Sequence, residues 1–229
     1  MMNKVSYPNG IKKVRLPVGT KGDASITKKT FKGKALEIHN MRIMISGEGR
    51  HRQINPGTYT YLHVGNELMM SDTPGEAWEH WEAIQKAHGR CLINGLGIGL
   101  VLKALIAKKE VTEIVVVELN KDVLDLISPH YKSRKVTFIH ADALEWRPPK
   151  GARFGCVWND IWPTITTDNW EDMKKLHRAY GRRADWVGSW NRDWVKRLIR
   201  EEKREADMLR FWHHPTEHSL KGSSDDFTL

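Results

Sequence analysis

The sequence predicts an α/β protein: a doubly wound, mostly parallel sheet with a small N-terminal β-hairpin part. Three observations lead there. From residue 91 onward, short apolar runs alternate with helix-like stretches, the pattern of a parallel sheet covered on both faces. The first run leads straight into a glycine-rich turn, "CLINGLGIGL" at residues 91–100. Between residues 35 and 70, stretches of apolar–polar alternation are bounded by Gly, Asn and Pro, as in antiparallel hairpins.

Residues 1–34 mix lysine with "PNG", "LPVG" and "TKGD" and read as a basic flexible arm. Residues 35–70 hold "ALEIHNMRIMISG" and "TYTYLHVGNELMM" and read as the small β part. "SDTPGEAWEHWEAIQKAHG" reads as a helix, with Ser71 or Asp72 as its cap, Pro74 in its first turn and Gly89 at its end. Strand "CLINGL" and helix "GLVLKALIAKK" follow, then strand "EIVVVEL" and helix "NKDVLDLISPHY", which Asn120 can cap. "KVTFIHA" and "FGCVWND" are the third and fourth strands, and "DNWEDMKKLHRAYG" a helix closing at Gly181. "ADWVGSW" is a short fifth strand before the long helix "NRDWVKRLIREEKREADM". Right-handed crossovers between such strands wind the sheet in both directions. The α/β domain therefore spans 71–212, and 213–229 is a polar, loose tail.

The chain has 229 residues and is 40% hydrophobic, which gives one α/β domain a real core and excludes a wholly disordered chain. No apolar run reaches the roughly 18 residues of a membrane span, and the first residues lack the apolar core of a secretion signal. A cytoplasmic protein without a membrane partner is expected. Cys91 and Cys156 both sit in apolar strands and read as reduced core residues. The histidines lack metal-ligand spacing, so no metal site is expected. The net charge is +9, and nine of the lysines and arginines fall in the first 34 residues against one acid, Asp23. Such an arm favours an acidic partner, nucleic acid first; the competing reading is a solvated tail. A homodimer is the other expected association.

The glycine turn places Gly95, Gly97 and Gly99 between a strand and a helix, where small residues let a ligand approach the backbone. It is neither G-x-G-x-x-G, because Leu100 holds the last glycine position, nor a P-loop. Glu118 ends the second strand and could accept hydrogen bonds from two ribose hydroxyls. Asp142, just beyond the third strand, could accept one from an adenine amino group. Three such features at consecutive strand ends point to a nucleoside ligand. Asp160 ends the fourth strand, where a carboxylate could orient or deprotonate a nucleophile. Trp158 and Trp162 flank it and could wall an acceptor pocket, whereas Trp186, Trp190 and Trp194 read as packing.

From Ser71 to Asp160 the sequence resembles the class I S-adenosylmethionine-dependent methyltransferases, and within them the spermidine-synthase-like branch. "LINGLGIG", "VVVELN", "HADALEW" and "FGCVWND" carry that resemblance. "MSDTPGEAWEHW" and "RRADWVGSW" also resemble methyltransferase-like proteins of phages. The resemblance implies S-adenosylmethionine as cofactor, with the three glycines under its methionine part, Glu118 on the ribose, Asp142 and Ala143 beside the adenine, and Asp160 as the base. The pattern departs from spermidine synthases at Ile98 and Pro163, where they carry acids, and from many methyltransferases at Ile93, and the resemblance implies that Ile98 faces the ligand. "NDIWP" matches amino-methylating DNA enzymes poorly. A methyltransferase with an open acceptor, small molecule or nucleic acid, is the first reading. A spermidine-synthase-like aminopropyltransferase and a non-catalytic basic adapter that binds nucleic acid are the alternatives.

Overall fold

A computed structural model describes residues 5–9, 11–46 and 52–213, without the side chains of 211–213. Five parallel strands form the main sheet: β5 (Gly89–Asn94), β6 (Val111–Glu118), β7 (Val136–His140), β8 (Phe154–Asn159) and β9 (Ala184–Ser189). Their spatial order is β7-β6-β5-β8-β9, so the winding reverses at the central strand β5. Helices α3 (Trp81–Lys86), α4 (Leu100–Ala107) and α5 (Lys121–Ile127) share one core with Cys91, Ile93, Ile114 and Val116. Helices α6 (Asn169–Tyr180) and α7 (Arg192–His213) share the other with Leu92, Val115 and Val117. Adjacent strand residues thus serve opposite cores, which is why these strands read as unbroken apolar runs. Asn120 caps α5 as its sequence predicts, accepting from the amides of Asp122 (2.9 Å) and Val123 (3.1 Å). The two cysteines are free and buried, paired in register across β5 and β8.

The N-terminal part differs from expectation in two places. The described residues among 5–34 do not form a flexible arm. β1 (Gly19–Lys21) and β2 (Ala24–Phe31) lie in an antiparallel sheet with β3 (Gly57–Val64) and β4 (Glu67–Ser71). Ile11, Val14, Leu16, Ala24 and Ile26 anchor this segment in the main core, an apolar set masked in the sequence by the lysines between them. Residues Gly33–Ile45 are a helix, α1, and not a strand. Leu36, Asn40 and Ile43 fall on one face at helical spacing, with Leu36 against Phe31 and Tyr59 and the other two buried. Asn40 fixes α1 to the chain beyond it: its side chain donates to Ile54 O (3.0 Å) and accepts from Ile54 N (2.9 Å).

The helix expected after β4 is two short ones, α2 (Pro74–Glu79) and α3, broken at His80. Neither Ser71 nor Asp72 stands at the cap position, which Thr73 occupies. Asp72 instead accepts the Thr60 amide (2.7 Å) and holds the chain just beyond β4 to β3 of the small sheet. Gly89 opens β5. Helix α7 runs to His213, beyond the expected end at Met208, with residues 201–210 exposed throughout. The tail from 214 on lies outside the described residues. Among the described residues no helix is long and apolar enough to cross a membrane.

Asn40→Ala should destabilise the protein by roughly 2–4 kcal/mol in equilibrium denaturation, because it leaves both backbone groups of a buried Ile54 unpaired. A change below about 0.5 kcal/mol would show that α1 is not held this way.

Candidate functional site

The strands end together at one edge of the sheet. There β5 passes into the glycine turn, and Gly95, Gly97 and Gly99 take φ values of 92°, 50° and 73°, all in the left-handed region. Each also faces an atom that excludes a side chain. A Cβ on Gly95 would lie 1.9 Å from the Asp160 carbonyl oxygen, and one on Gly97 would lie 2.4 Å from the Met70 sulfur. At Gly99 it would lie 2.4 Å from the Tyr131 ring, whose hydroxyl donates to Ile98 O at 2.6 Å. Gly99 therefore serves packing and the start of α4, whereas Gly95 and Gly97 line a cavity of about 420 Å³. That volume suits a nucleoside-sized ligand.

Glu118, Asp142, Ala143, Asp160 and Trp162 line the same cavity. Glu118 is locked in place. One carboxylate oxygen accepts the Leu96 amide of the glycine turn (2.7 Å) and the other accepts the Asn120 amide (2.8 Å). A carboxylate has about four acceptor positions, so each oxygen keeps a lone pair for a ligand. Burial raises its pKa, and the backbone donors oppose that rise. Asp142 uses one oxygen to hold the Leu144 amide (2.7 Å), which shapes the turn that carries Ala143. Asp160 leaves β8 with its amide donating to Asn94 O (2.8 Å), beside the side-chain bond from Asn94 to Asn159 (2.7 Å). Burial, with the charges of Glu79 and Glu118, pushes the Asp160 carboxyl up to about 7.

Two sequence-based expectations change. Trp158 does not line this cavity. It sits even with Cys156 on β8, which turns its ring to the opposite face, stacked on Trp186 at 6.2 Å and edge-on to His80 at 5.8 Å. Ile98, expected to face the ligand, is fully buried in the core beneath the turn. Trp162 does line the cavity and donates to Asp172 (3.3 Å).

Three further cavity residues had no local sequence signal. Glu76 projects from α2, Asp172 from α6, and Trp190 follows β9 and donates to Glu79 (2.8 Å). They meet only because α2, α6 and the end of β9 converge over the sheet edge. Burial and the charges of Glu79 and Asp160 push Glu76 up to about 8, with Arg52 opposing. Five carboxylates line the cavity, Glu76, Glu118, Asp142, Asp160 and Asp172, and among the described lining residues there is no lysine or arginine. The arrangement can hold polar hydroxyl and amino groups along Glu118 and Asp142, an apolar ring along Val117, Leu119 and Ala143, and positive charge near Glu76 and Asp160.

No protein-family model matches the chain, and no curated protein does. Solved structures similar to it include a Pyrococcus horikoshii protein provisionally described as an RNA methyltransferase, with 19% identity over 58% of this chain and 66% of that one, TM-score 0.41. The tRNA (m1A58) methyltransferase TrmI from Aquifex aeolicus shares 19% identity over 44% of this chain and 41% of that one, TM-score 0.36. Spermidine synthase from Thermotoga maritima shares 14% over 56% of this chain and 48% of that one, TM-score 0.38. The chain thus spans less than two thirds of the length of each. With every TM-score below 0.5, the chemistry of the site rests on its own geometry.

The site has a pH signature. Asp160 and Glu76 bind protons more tightly folded than unfolded, up to about 7 and about 8. Buried His80 and half-buried His177, lowered to about 4, bind them less tightly. The two pairs oppose each other below the ordinary histidine value near 6.5, and above it only the acids remain. Stability should therefore fall as pH rises from 6.5 to 8.5, and Asp160→Asn should flatten that fall. Urea denaturation at both pH values checks this; parallel changes in wild type and variant would contradict it.

Proposed function

We propose that the chain is an S-adenosylmethionine-dependent transferase, with methyl transfer to a basic nitrogen acceptor as its first reading. The observation that supports it most is the convergence of Gly95, Gly97, Glu118, Asp142 and Ala143 on one cavity that Asp160 also borders. The donor set fits the adenosyl group. Glu118 would take the ribose through its remaining lone pairs, and Asp142 the adenine amino group through its second oxygen, with Ala143 beside the ring. The carboxylates would also offset the charge of a sulfonium, which supplies an electrophilic carbon when bound. Asp160 would orient the acceptor and receive its proton. Most of the rate gain would come from alignment within the cavity.

Aminopropyl transfer is the second reading, and one observation favours it: five acids and no cation among the described lining residues. That balance suits a donor without a carboxylate and an amine acceptor. Pro163, which also lines the cavity, stands where spermidine synthases have a further acid, but Glu76 and Asp172 add negative charge from other elements. Calorimetry with S-adenosylmethionine and its decarboxylated form separates the two readings: the first expects tighter binding of the methyl donor, and the reverse order would favour the second.

Asp142→Asn keeps the oxygen that holds Leu144 and replaces the free one with a donor. It should weaken S-adenosylhomocysteine binding about tenfold, the order of one lost hydrogen bond. Unchanged affinity, or no wild-type binding at millimolar ligand, would overturn the adenosyl reading.

The basic N-terminal segment is the proposed contact for nucleic acid. Lys13, Arg15 and Lys28 line a shallow groove on the small sheet, and Lys29 is exposed beside it. Lys28→Glu with Lys29→Glu should lower affinity for a duplex or single strand and flatten its salt dependence. Weak, salt-insensitive binding by both proteins would leave these lysines as solvated edge charges.

A further inference from the structure

His80 sits against the site with 1% of its surface exposed, and among the described residues neither ring nitrogen has a hydrogen-bond partner. It occupies the break between α2 and α3, with backbone angles of −95° and −3°. From there Nε2 lies 3.7 Å from an oxygen of Asp160 and 3.8 Å from one of Glu76. Both acids line the cavity, and their side chains keep about a fifth of their surface exposed, 19% and 21%. The imidazole therefore sits behind the cavity wall, facing both carboxylates from the dry side. Its other flank is closed by the Trp158 ring. Buried ring nitrogens without partners are rare enough in folded proteins to need an explanation.

The surrounding charges explain what such a histidine can do. Glu79 on α2 and Glu118 on β6 face Asp160, and Glu79 also faces Glu76. Arg52 is the cation that acts on Glu76, and it is engaged with Glu79. Tyr61 on β3 senses the Glu76 charge from the small sheet. Two carboxylates in so negative and poorly solvated a setting do not both ionise readily. A charged imidazole would balance them, but burial opposes that charge and holds His80 down to about 4. Neutral imidazole still has one N–H to offer. Its present distances are too long for direct hydrogen bonds and close with a small ring movement or one bridging water. Among the described residues no three His, Cys, Asp or Glu side chains are placed to hold a metal ion, so a proton is the simplest cation for the cluster.

We propose that Glu76 and Asp160 work as one carboxylate pair that holds a single proton at neutral pH, with uncharged His80 as the positioning residue between them. The ionised member of the pair is the base, and His80 stabilises it. The consequence for catalysis rests on the transferase reading. A bound ammonium ion gives one proton to the pair, which passes from one proton to two and returns one to water through the open side of the cavity. The acceptor nitrogen keeps its electron pair for the new bond. Glu76 thereby joins Asp160 as a group that touches the acceptor, and His80 acts through both.

Carboxyl ¹³C NMR titration of the full chain, labelled at aspartate and glutamate, tests this without any ligand. Its failure is thus distinct from failure of the transferase reading. Glu76→Gln and Asp160→Asn assign the two signals. Wild type should show these carboxyls ionising in two steps, one near pH 7 and the other near pH 8, as coupled acids do. Asp160→Asn should lower the Glu76 midpoint by about one pH unit, because the Asp160 charge that opposes its ionisation is gone. His80→Phe should raise the upper midpoint by about one unit while His80→Gln, which keeps an N–H donor, restores it. A purely structural role for His80 would move folding stability but not separate these two variants. Both carboxyls titrating below pH 5 in the wild type would overturn the proposal, as would an imidazole signal showing His80 protonated near pH 6.5.

Discussion

The contact on which the site depends is the one between Gly95 and Asp160. The Gly95 amide donates to Val117 O on β6 (2.8 Å), and the Asp160 amide donates to Asn94 O at the end of β5 (2.8 Å). These bonds draw the ends of β6, β5 and β8 to one point, at the position where the winding of the sheet reverses. The Asp160 carbonyl then fills the space that a side chain on residue 95 would need. Any substitution of Gly95 would push the acid-bearing end of β8 away from the turn, whatever ligand the cavity takes. The glycines answer first to the protein's own packing, and the open cavity follows from that packing.

Charge is the second constraint. Glu118 spends both oxygens on backbone amides, so the glycine turn is braced from the neighbouring strand before any ligand arrives. That preorganises the nucleoside side of the cavity. On the other side, Glu76, Asp160 and His80 meet with too little solvent to carry their full ordinary charges. The two sides divide the work: one is rigid and suited to recognition, the other is poised to change its protonation. A fold built only for packing would have little reason to gather five acids around one cavity.

Much of this was legible in the sequence because parallel strands advertise themselves. Their apolar runs, the glycine turn and the acids at the ends of β6 and β8 are local patterns, and each fell where its pattern put it. What escaped depended on contacts between distant segments. Residues 11–31 look like a solvated arm because lysines dominate them, yet every few residues an isoleucine, valine or leucine reaches the core. Residues 33–45 carry both a two-residue and a helical spacing, and only the seat of Asn40 on Ile54 decides between them. Trp158 was read on the wrong side because its proximity to Asp160 in sequence hides strand parity, which sends it away from the cavity. Glu76 and Asp172 sit on helices, and His80 at the break between two, whose docking no motif encodes.

The central claim is that the edge of the sheet at Gly95 and Asp160 is an adenosyl-binding site. The most direct measurement is amide chemical-shift perturbation on titrating ¹⁵N-labelled protein with S-adenosylhomocysteine. The account expects the largest shifts at Leu96, Gly97, Leu119, Ala143 and Leu144, the amides that line or brace the cavity. Shifts confined to the second cavity around Trp186 and Trp194, or none at millimolar ligand, would contradict it.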